Sequence, residues 1–262
     1  MKILFIGDVV GQPGREILKD KIPYFVEKYG IDFVIANGEN ASHGKGLLEK
    51  HYDELLDAGC DVITLGNHYN SKRQIDNYID RVDSLIRPLN ILDYSKGVGS
   101  EIFDFDGIKI RVTNLLGSAF MKENVSSPYL AIKDIIDNEE EANIHIVDFH
   151  AESTSEKQCL GYALDGQVSA VLGTHTHVQT RDYHILPKGT AYISDVGMCG
   201  TQESVIGFEK DSVVDKIVFG QEGKFQIDDI EKRKLFSAVV INVDDISGKA
   251  KEIFPIYYVE GD

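Results

Sequence analysis

Apolar residues enter this chain as short unbroken runs. Ile3-Leu4-Phe5-Ile6, Phe33-Val34-Ile35-Ala36 and Val62-Ile63-Thr64-Leu65 lack the strict alternation of a half-exposed strand; strands buried on both faces of a parallel sheet read this way. Between them, after a turn at Gly11 to Gly14, Ile17, Ile22, Phe25 and Val26 give Arg15 to Tyr29 helical spacing, and residues 48 to 58 read as a helix ending at Gly59. Strand ends therefore recur about every 30 residues, the length of a βαβ unit, and right-handed crossovers set such strands side by side. Residues 71 to 83 read as a further helix. Glu101 to Phe105 and Ile108 to Asn114 then alternate around Asp106-Gly107, a hairpin signal. Residues 128 to 141 read as a helix, Ile144 to Phe149 as a buried strand, Ala163 to Leu172 as a turn at Asp165-Gly166 leading into a strand, and Thr190 to Ser194 as another strand. Gly197-Met198-Cys199-Gly200 reads as a turn. From Asp211 the pattern is β: Val213 to Phe219, Phe236 to Val243 and Ile253 to Val259. With no repeat and no low-complexity linker, the expectation is a single α/β domain over residues 1–262, two packed sheets with helices outside. An accessory lobe within residues 155 to 215 is the alternative.

What ends the runs points to chemistry. They stop on Gly7-Asp8, Gly38-Glu39-Asn40, Gly66-Asn67-His68, Asp148-Phe149-His150 and Gly173-Thr174-His175-Thr176-His177, and ligands of open α/β sheets bind beyond the carboxyl ends of strands. Two histidines at i and i+2 in an extended strand end point to one side. Carboxylate, amide and imidazole donors suit hard or borderline cations, and a carboxylate shared by two ions about 3.5–4 Å apart is the arrangement of phosphoryl hydrolysis. Singly, each segment has a plainer reading: a cap or turn for Asp8 and Asn67, a packed or surface histidine for His68. The ordered set of five points to a dinuclear site. His43, in the glycine-rich loop after Asn40, is a candidate substrate contact. His51 reads as a solvated helix residue, His145 as structural, and His184 has no ligand partner nearby in sequence.

Composition narrows the partners. A 262-residue chain that is 42% hydrophobic can bury a full core. A net charge of −16 repels duplex nucleic acid and anionic membrane; a small anionic substrate fits only where bound cations reverse the local sign. Cys60, Cys159 and Cys199 are odd in number without Cys-x-x-Cys spacing, which argues against a thiolate zinc site and for a reducing compartment. The opening apolar stretch is too short for a signal sequence and no run reaches membrane-spanning length, so the expectation is a cytoplasmic, membrane-free protein.

The ordered motifs, Gly7-Asp8 through His175-Thr176-His177, resemble the calcineurin-like metallophosphoesterases over residues 1 to about 200, and most closely their YmdB-type branch, from Gly7-Asp8-Val9-Val10-Gly11 through Asn37-Gly38-Glu39-Asn40-Ala41. The resemblance implies a four-layer α/β/β/α sandwich and a dinuclear phosphodiesterase acting on 2′,3′-cyclic nucleotides, small-molecule substrates, and suggests a homo-oligomer. It implies Asp8, Glu39, Asn40 and His177 as ligands of one metal and Glu39, Asn67, His150 and His175 as ligands of the other, with Glu39 bridging. It implies a metal-activated hydroxide as nucleophile and His68 as proton donor, and Asn40 is also a candidate phosphate contact. Val10 stands where most of the superfamily has His, and Glu39 where most has Asp; both departures match the YmdB-type branch. The oxygen-richer site favours iron or manganese. The rivals are a phosphomonoesterase or nucleotidase on the same core and a regulatory metal-binding scaffold without turnover.

Overall fold

Alternate residues of each strand divide between two cores, and this division sets the layers. The computed structural model describes residues 1–228 and 232–261. In chain order its elements are β1 (Lys2–Val9), α1 (Gly11–Tyr29), β2 (Phe33–Asn37), α2 (Glu49–Asp57), β3 (Val62–Thr64), β4 (Leu85–Ile86), β5 (Ser100–Phe105), β6 (Ile108–Leu116), α3 (Pro128–Asn138), β7 (Ile144–His150), α4 (Thr154–Ala163), β8 (Ala170–Thr174), β9 (His184–Ile185), β10 (Ala191–Ile193), β11 (Met198–Thr201), α5 (Lys210–Ile217), β12 (Lys234–Val243) and β13 (Ala250–Val259). Among the described residues the strands form a seven-stranded sheet, β13-β12-β11-β1-β2-β3-β4, and a six-stranded sheet, β5-β6-β7-β8-β10-β9. Leu4, Ile6, Val34, Ala36 and Ile63 pack outward on Ile17, Leu18, Ile22 and Phe25 of α1 and Leu55 of α2. Ile3, Phe5, Phe33, Ile35 and Val62 pack inward on Ile110, Val112, Ile144, Ile146 and Leu172 of the second sheet. That sheet's other face, with Leu115, Val147, Phe149 and Val171, takes Ile132 of α3 and Leu160 of α4. The result is the four-layer α/β/β/α sandwich.

The inter-sheet core turns polar at one edge. Following the inward residues along β2, β3, β7 and β8 leads from Ile35, Val62, Ile146 and Leu172 to Asn37, Thr64, Asp148, His150 and Thr174, all fully buried. A bulge brings Asp8 to the same edge. β1 pairs Ile6 with Ala36 and then Asp8 with Asn37, so Gly7 is an extra residue that turns Asp8 to the face Ile6 avoids. At the same point β1 exchanges one partner for another: residues Lys2 to Ile6 pair with β12, Asp8 and Val9 with β11. A Cβ on Gly7 would lie 1.9 Å from the Gly197 carbonyl oxygen, so only glycine fits.

Several elements differ from the pattern reading. Val213 to Phe219 lie largely in helix α5 rather than in a strand. Their β-branched composition suggests strand, but the Glu209 carboxylate caps the amides of Asp211 and Ser212, and a capped first turn decides for helix. Residues 71 to 83 form two 3₁₀ turns, Arg73–Asn77 and Ile79–Arg81; buried Ile75 and Tyr78 lie three apart, the repeat of that tighter helix. Gly197 to Gly200 leads into strand β11, where Met198 and Cys199 are buried beside β1, and α1 begins at Gly11 with no preceding turn. Helix α4, not read from periodicity, starts at a Ser-x-x-Glu cap in which Ser153 accepts from the Glu156 amide. Among the described residues no helix is long and apolar enough to cross a membrane.

Candidate metal centre

Five strand ends, those of β1, β2 and β3 in one sheet and of β7 and β8 in the other, and the loops after them deliver the polar side chains. Asn37 closes β2 and ties its neighbours together: its Oδ1 accepts from the Glu39 amide, and its Nδ2 donates to the Leu65 carbonyl and to Asp148 Oδ2. Glu39, 1% exposed, faces His150 with Oε1 3.1 Å from Nε2, while its Oε2 accepts from the His68 amide at 2.8 Å. A Cβ on Gly66 would lie 2.4 Å from Glu39 Oε2 and 2.5 Å from His150 Nε2. Glycine there is what lets the Asn67-His68 loop close over the carboxylate.

His150 is the centre of the cluster. Its Nδ1 is 2.9 Å from Thr174 Oγ1, which donates to Asp148 Oδ1 at 2.7 Å. A hydroxyl already donating to a carboxylate accepts from Nδ1–H, which leaves Nε2 as the lone-pair nitrogen. Three acceptor atoms converge on that Nε2: Asn67 Oδ1 at 3.0 Å, His175 Nδ1 at 3.0 Å and Glu39 Oε1 at 3.1 Å. Acceptors gathered on a lone pair call for a cation, whether proton or metal ion. Titration agrees. Burial works to depress His150, but the Glu39 carboxylate overcomes it and raises the pKa; burial works to raise Glu39, and the His150 charge brings it below the ordinary carboxylate range. Donor atoms of Glu39, His150 and His175 lie within 4.8 Å of one another, compatible with one ion.

A second group lies beside the first. Asp8 is fully buried; its Oδ2 accepts from the His175 amide at 3.0 Å, and its Oδ1 has no hydrogen-bond partner among the described residues. That oxygen is 3.8 Å from His177 Nε2 and 3.8 Å from His150 Nδ1. Burial raises the Asp8 pKa, offset in part by these histidines. His177 Nδ1 donates to the Ile206 carbonyl at 2.9 Å, so its Nε2 carries the free pair. Asn40 donates to the Gly44 carbonyl, while its buried Oδ1 has no partner among the described residues. Orphaned buried oxygens on Asp8 and Asn40 beside a lone-pair imidazole nitrogen are what a hard cation satisfies; the residues fit a metal.

The two imidazoles of the His175–His177 segment do not come from an extended strand end. β8 stops at Thr174, and His175 and His177 have φ of 103° and 67°, a strained conformation for side chains with a Cβ. Asp195 holds this loop: its Oδ2 accepts from the Thr176 amide and hydroxyl, at 2.9 and 2.7 Å, and from Lys157 Nζ at 2.9 Å. Lys157 and Asp195 are 2% and 1% exposed. Glu152 Oε2 lies 3.1 Å from His175 Nε2 and fixes the tautomer that leaves Nδ1 free to ligate. Asn37, Glu152, Lys157 and Asp195 were given no role in the sequence reading, and Asp148 none beyond its place in the segment ending at His150, because their partners lie far away in the chain.

The cluster opens on a cavity of about 290 Å³ lined by Glu39, Asn40, His68, His175, His177, Ile206 and Phe208, among others. A larger groove of about 420 Å³ between α1 and α2 carries no such chemistry, since Arg15 there is already bonded to Glu54 and the Ala41 carbonyl. His68 is half-buried, and burial holds its pKa below the usual range. His43 is exposed, is not among the residues lining the cavity, and rests edge-on against His51. His51, read as solvated, is 2% exposed; its Nδ1 lies 2.7 Å from Ser42 Oγ, and burial pushes its pKa down to about 4.

A family model described as YmdB-like protein matches residues 4–256 of the chain. The chain is 44% identical over 254 residues, 97% of its length and 95% of the relative's, to the 2′,3′-cyclic-nucleotide 2′-phosphodiesterase of Bacillus subtilis (strain 168). A crystal structure from Mycoplasma pneumoniae, described as that of a novel phosphatase, superposes with a TM-score of 0.92 at 39% identity, covering 99% of this chain and 93% of that one. A crystal structure of a hypothetical protein from Thermus thermophilus gives 0.91 at 36% identity, covering 99% and 100%.

Proposed function

The chain belongs to the YmdB-like family of calcineurin-like metallophosphoesterases, and from that membership we propose how its site works. The protein is a metal-dependent phosphodiesterase that hydrolyses 2′,3′-cyclic nucleotides. The observation that carries the reading is the convergence of Glu39, Asn67 and His175 on His150 Nε2 in a chain 44% identical to a cyclic-nucleotide phosphodiesterase. In the finer proposal the site takes two ions, iron or manganese. Asp8, Glu39, Asn40 and His177 hold one; Glu39, Asn67, His150 and His175 hold the other. Two such ions, when bound, supply hydroxide near neutral pH and draw charge off the phosphoryl oxygens.

The chain's own residues do the rest. Glu39, which faces His150 and whose charge is felt at Asp8, would be shared by both ligand groups. The buried amide of Asn40 is fixed by the Gly44 carbonyl, so its Oδ1 is preorganised toward the centre. Hydrolysis breaks a phosphorus–oxygen bond to ribose, and the departing oxygen needs a proton. His68 supplies it from the cavity wall. A depressed pKa makes His68 a stronger acid than an ordinary imidazolium, while an anionic phosphate in the cavity acts the other way and keeps the proton on until transfer. The homo-oligomer and the cytoplasmic setting remain part of this proposal.

The deciding experiment is turnover of 2′,3′-cyclic AMP by purified protein with manganese or iron, with a chelator control and the product isomer resolved. Chelator-sensitive release of one monophosphate is expected. Release of phosphate from monoesters in preference would favour the nucleotidase, and metal uptake without turnover of either class the regulatory scaffold.

A further inference from the structure

One turn at the mouth of the cavity is built against its own backbone preference. Val205 and Phe208 exchange amide–carbonyl hydrogen bonds, at 2.9 and 3.0 Å, around Ile206 and Gly207. Ile206 has φ of 50° and Gly207 φ of 94°, two positive values in succession, as in the turn type that normally places Asn, Asp or Gly first. A β-branched residue in the left-handed region is a true outlier. The surroundings enforce it. Ser204 Oγ donates to the Thr201 carbonyl and accepts from the Gly207 amide, a Cβ on Gly207 would lie 2.6 Å from Val10 Cγ1, and the Ile206 carbonyl receives His177 Nδ1–H.

This turn supplies what the rest of the cavity lacks. Glu39, Asn40, His68, His175 and His177 make one side ionic and polar, whereas Ile206, 43% exposed, and Phe208 make the other apolar. Behind Phe208 stands Phe225, ring centroids 5.6 Å apart, and Lys216 Nζ lies 5.0 Å from the Phe225 centroid, so the Phe208 ring is braced. A volume of about 290 Å³ is at the small end for ligand sites, ~300–1,000 Å³, and suits one mononucleotide. We propose that the Val205–Phe208 turn is the nucleobase wall of the site, Phe208 stacking on the base and Ile206 closing its edge, while the Ile206 carbonyl orients His177. This rests on the cyclic-nucleotide reading above and deepens it. Stacking reads the face of a base and not its edge, so the wall selects for a base without choosing among bases.

The test compares wild type, Phe208→Ala and Ile206→Asn on 2′,3′-cyclic AMP and on glycerol 1,2-cyclic phosphate, which has the same ring phosphodiester and no base. The ratio of kcat/KM between the two substrates is expected to fall on the order of 10-fold in Phe208→Ala, the scale of losing one stacked base, through KM. Ile206→Asn should lower the ratio too and melt at or above the wild-type temperature, because Asn accepts the left-handed backbone. An unchanged ratio, with both substrates affected alike or neither affected, overturns the proposal. Should wild type turn over neither substrate, the phosphodiesterase reading fails separately, and calorimetry decides the wall. Adenosine 3′-monophosphate binding about 10-fold more weakly to Phe208→Ala, with inorganic phosphate unaffected, sustains it; equal binding refutes it.

Discussion

Asp195→Asn tests whether the loop bearing His175 and His177 is held by a buried charge. The native carboxylate takes four donors: Lys157 Nζ, the Thr176 amide and the Thr176 hydroxyl on Oδ2, and the Gly197 amide on Oδ1. Asn offers one oxygen, so either the Thr176 side or Gly197 meets an NH₂ group, and the Lys157 ammonium is left buried without a counter-charge. Removing one partner of a buried pair costs about 3–5 kcal/mol, a large part of a total stability of about 5–15 kcal/mol. Lys157→Met keeps the volume of the stem that passes under Gly173 and leaves Asp195 its three other donors; the cost should be about 1.5–3 kcal/mol. The double variant strands no charge, so its loss should be well short of the two single losses added together. Urea unfolding in chelator, followed by far-UV circular dichroism because the chain has no Trp, measures all three. Thr176 lies between the two histidines, and Gly197 receives the Asp8 amide through its carbonyl, so manganese affinity of Asp195→Asn should also fall, by roughly 10–100-fold. Additive single losses within about 0.5 kcal/mol, or undiminished manganese affinity, would refute the reasoning.

Glu39→Gln keeps the shape and removes the charge facing His150; activity should disappear and metal affinity fall by roughly 100-fold or more, beyond the range of an outer-sphere change, as read by calorimetry with manganese. His68→Ala should lower kcat by about 10²–10⁴-fold with full metal content by elemental analysis; an unchanged kcat would remove it as proton donor. His51, depressed to about 4 by burial and, next, by Arg15, titrates near 6.5 when unfolded. The unfolded chain therefore binds the extra proton first as pH falls, and stability present above pH ~6.5 is lost progressively toward pH ~4, by at most about 3 kcal/mol. His51→Gln should show a shallower loss over that window in urea titrations with chelator, and parallel curves for the two proteins would show that His51 does not contribute.

Whether a residue was legible in the sequence depends on how locally its position is set. Asp8, Glu39 and His150 each end a buried run, and the structure brings all three to one edge because a run's end is visible without knowing its neighbours. The i, i+2 argument for His175 and His177 reached a true juxtaposition through a wrong backbone: the pair meets the site through left-handed residues beyond β8, and nothing in the local pattern announces positive φ on histidine. His51 looked solvated since helix position alone gives a face and not what covers it; Ser42, nine residues earlier, covers it. In α5 the apolar run Val213 to Phe219 was read as a strand, and what decides for helix lies outside that run, in the Glu209 carboxylate that accepts from the amides of Asp211 and Ser212. The polar layer beneath the candidate metal ligands was beyond reach for a different reason. Asp148 meets Asn37 across 111 residues and Thr64 across 84, contacts that exist only because His150 pairs with Thr174 in register between β7 and β8. A slip of one residue would send Asp148 and His150 to the face now filled by Phe149 and Val147 and leave the carboxylate against α3 and α4. The register is held by apolar residues of the same strand, Ile144 and Ile146 inward, Val147 and Phe149 outward, so hydrophobic residues decide which face the candidate metal-binding edge occupies.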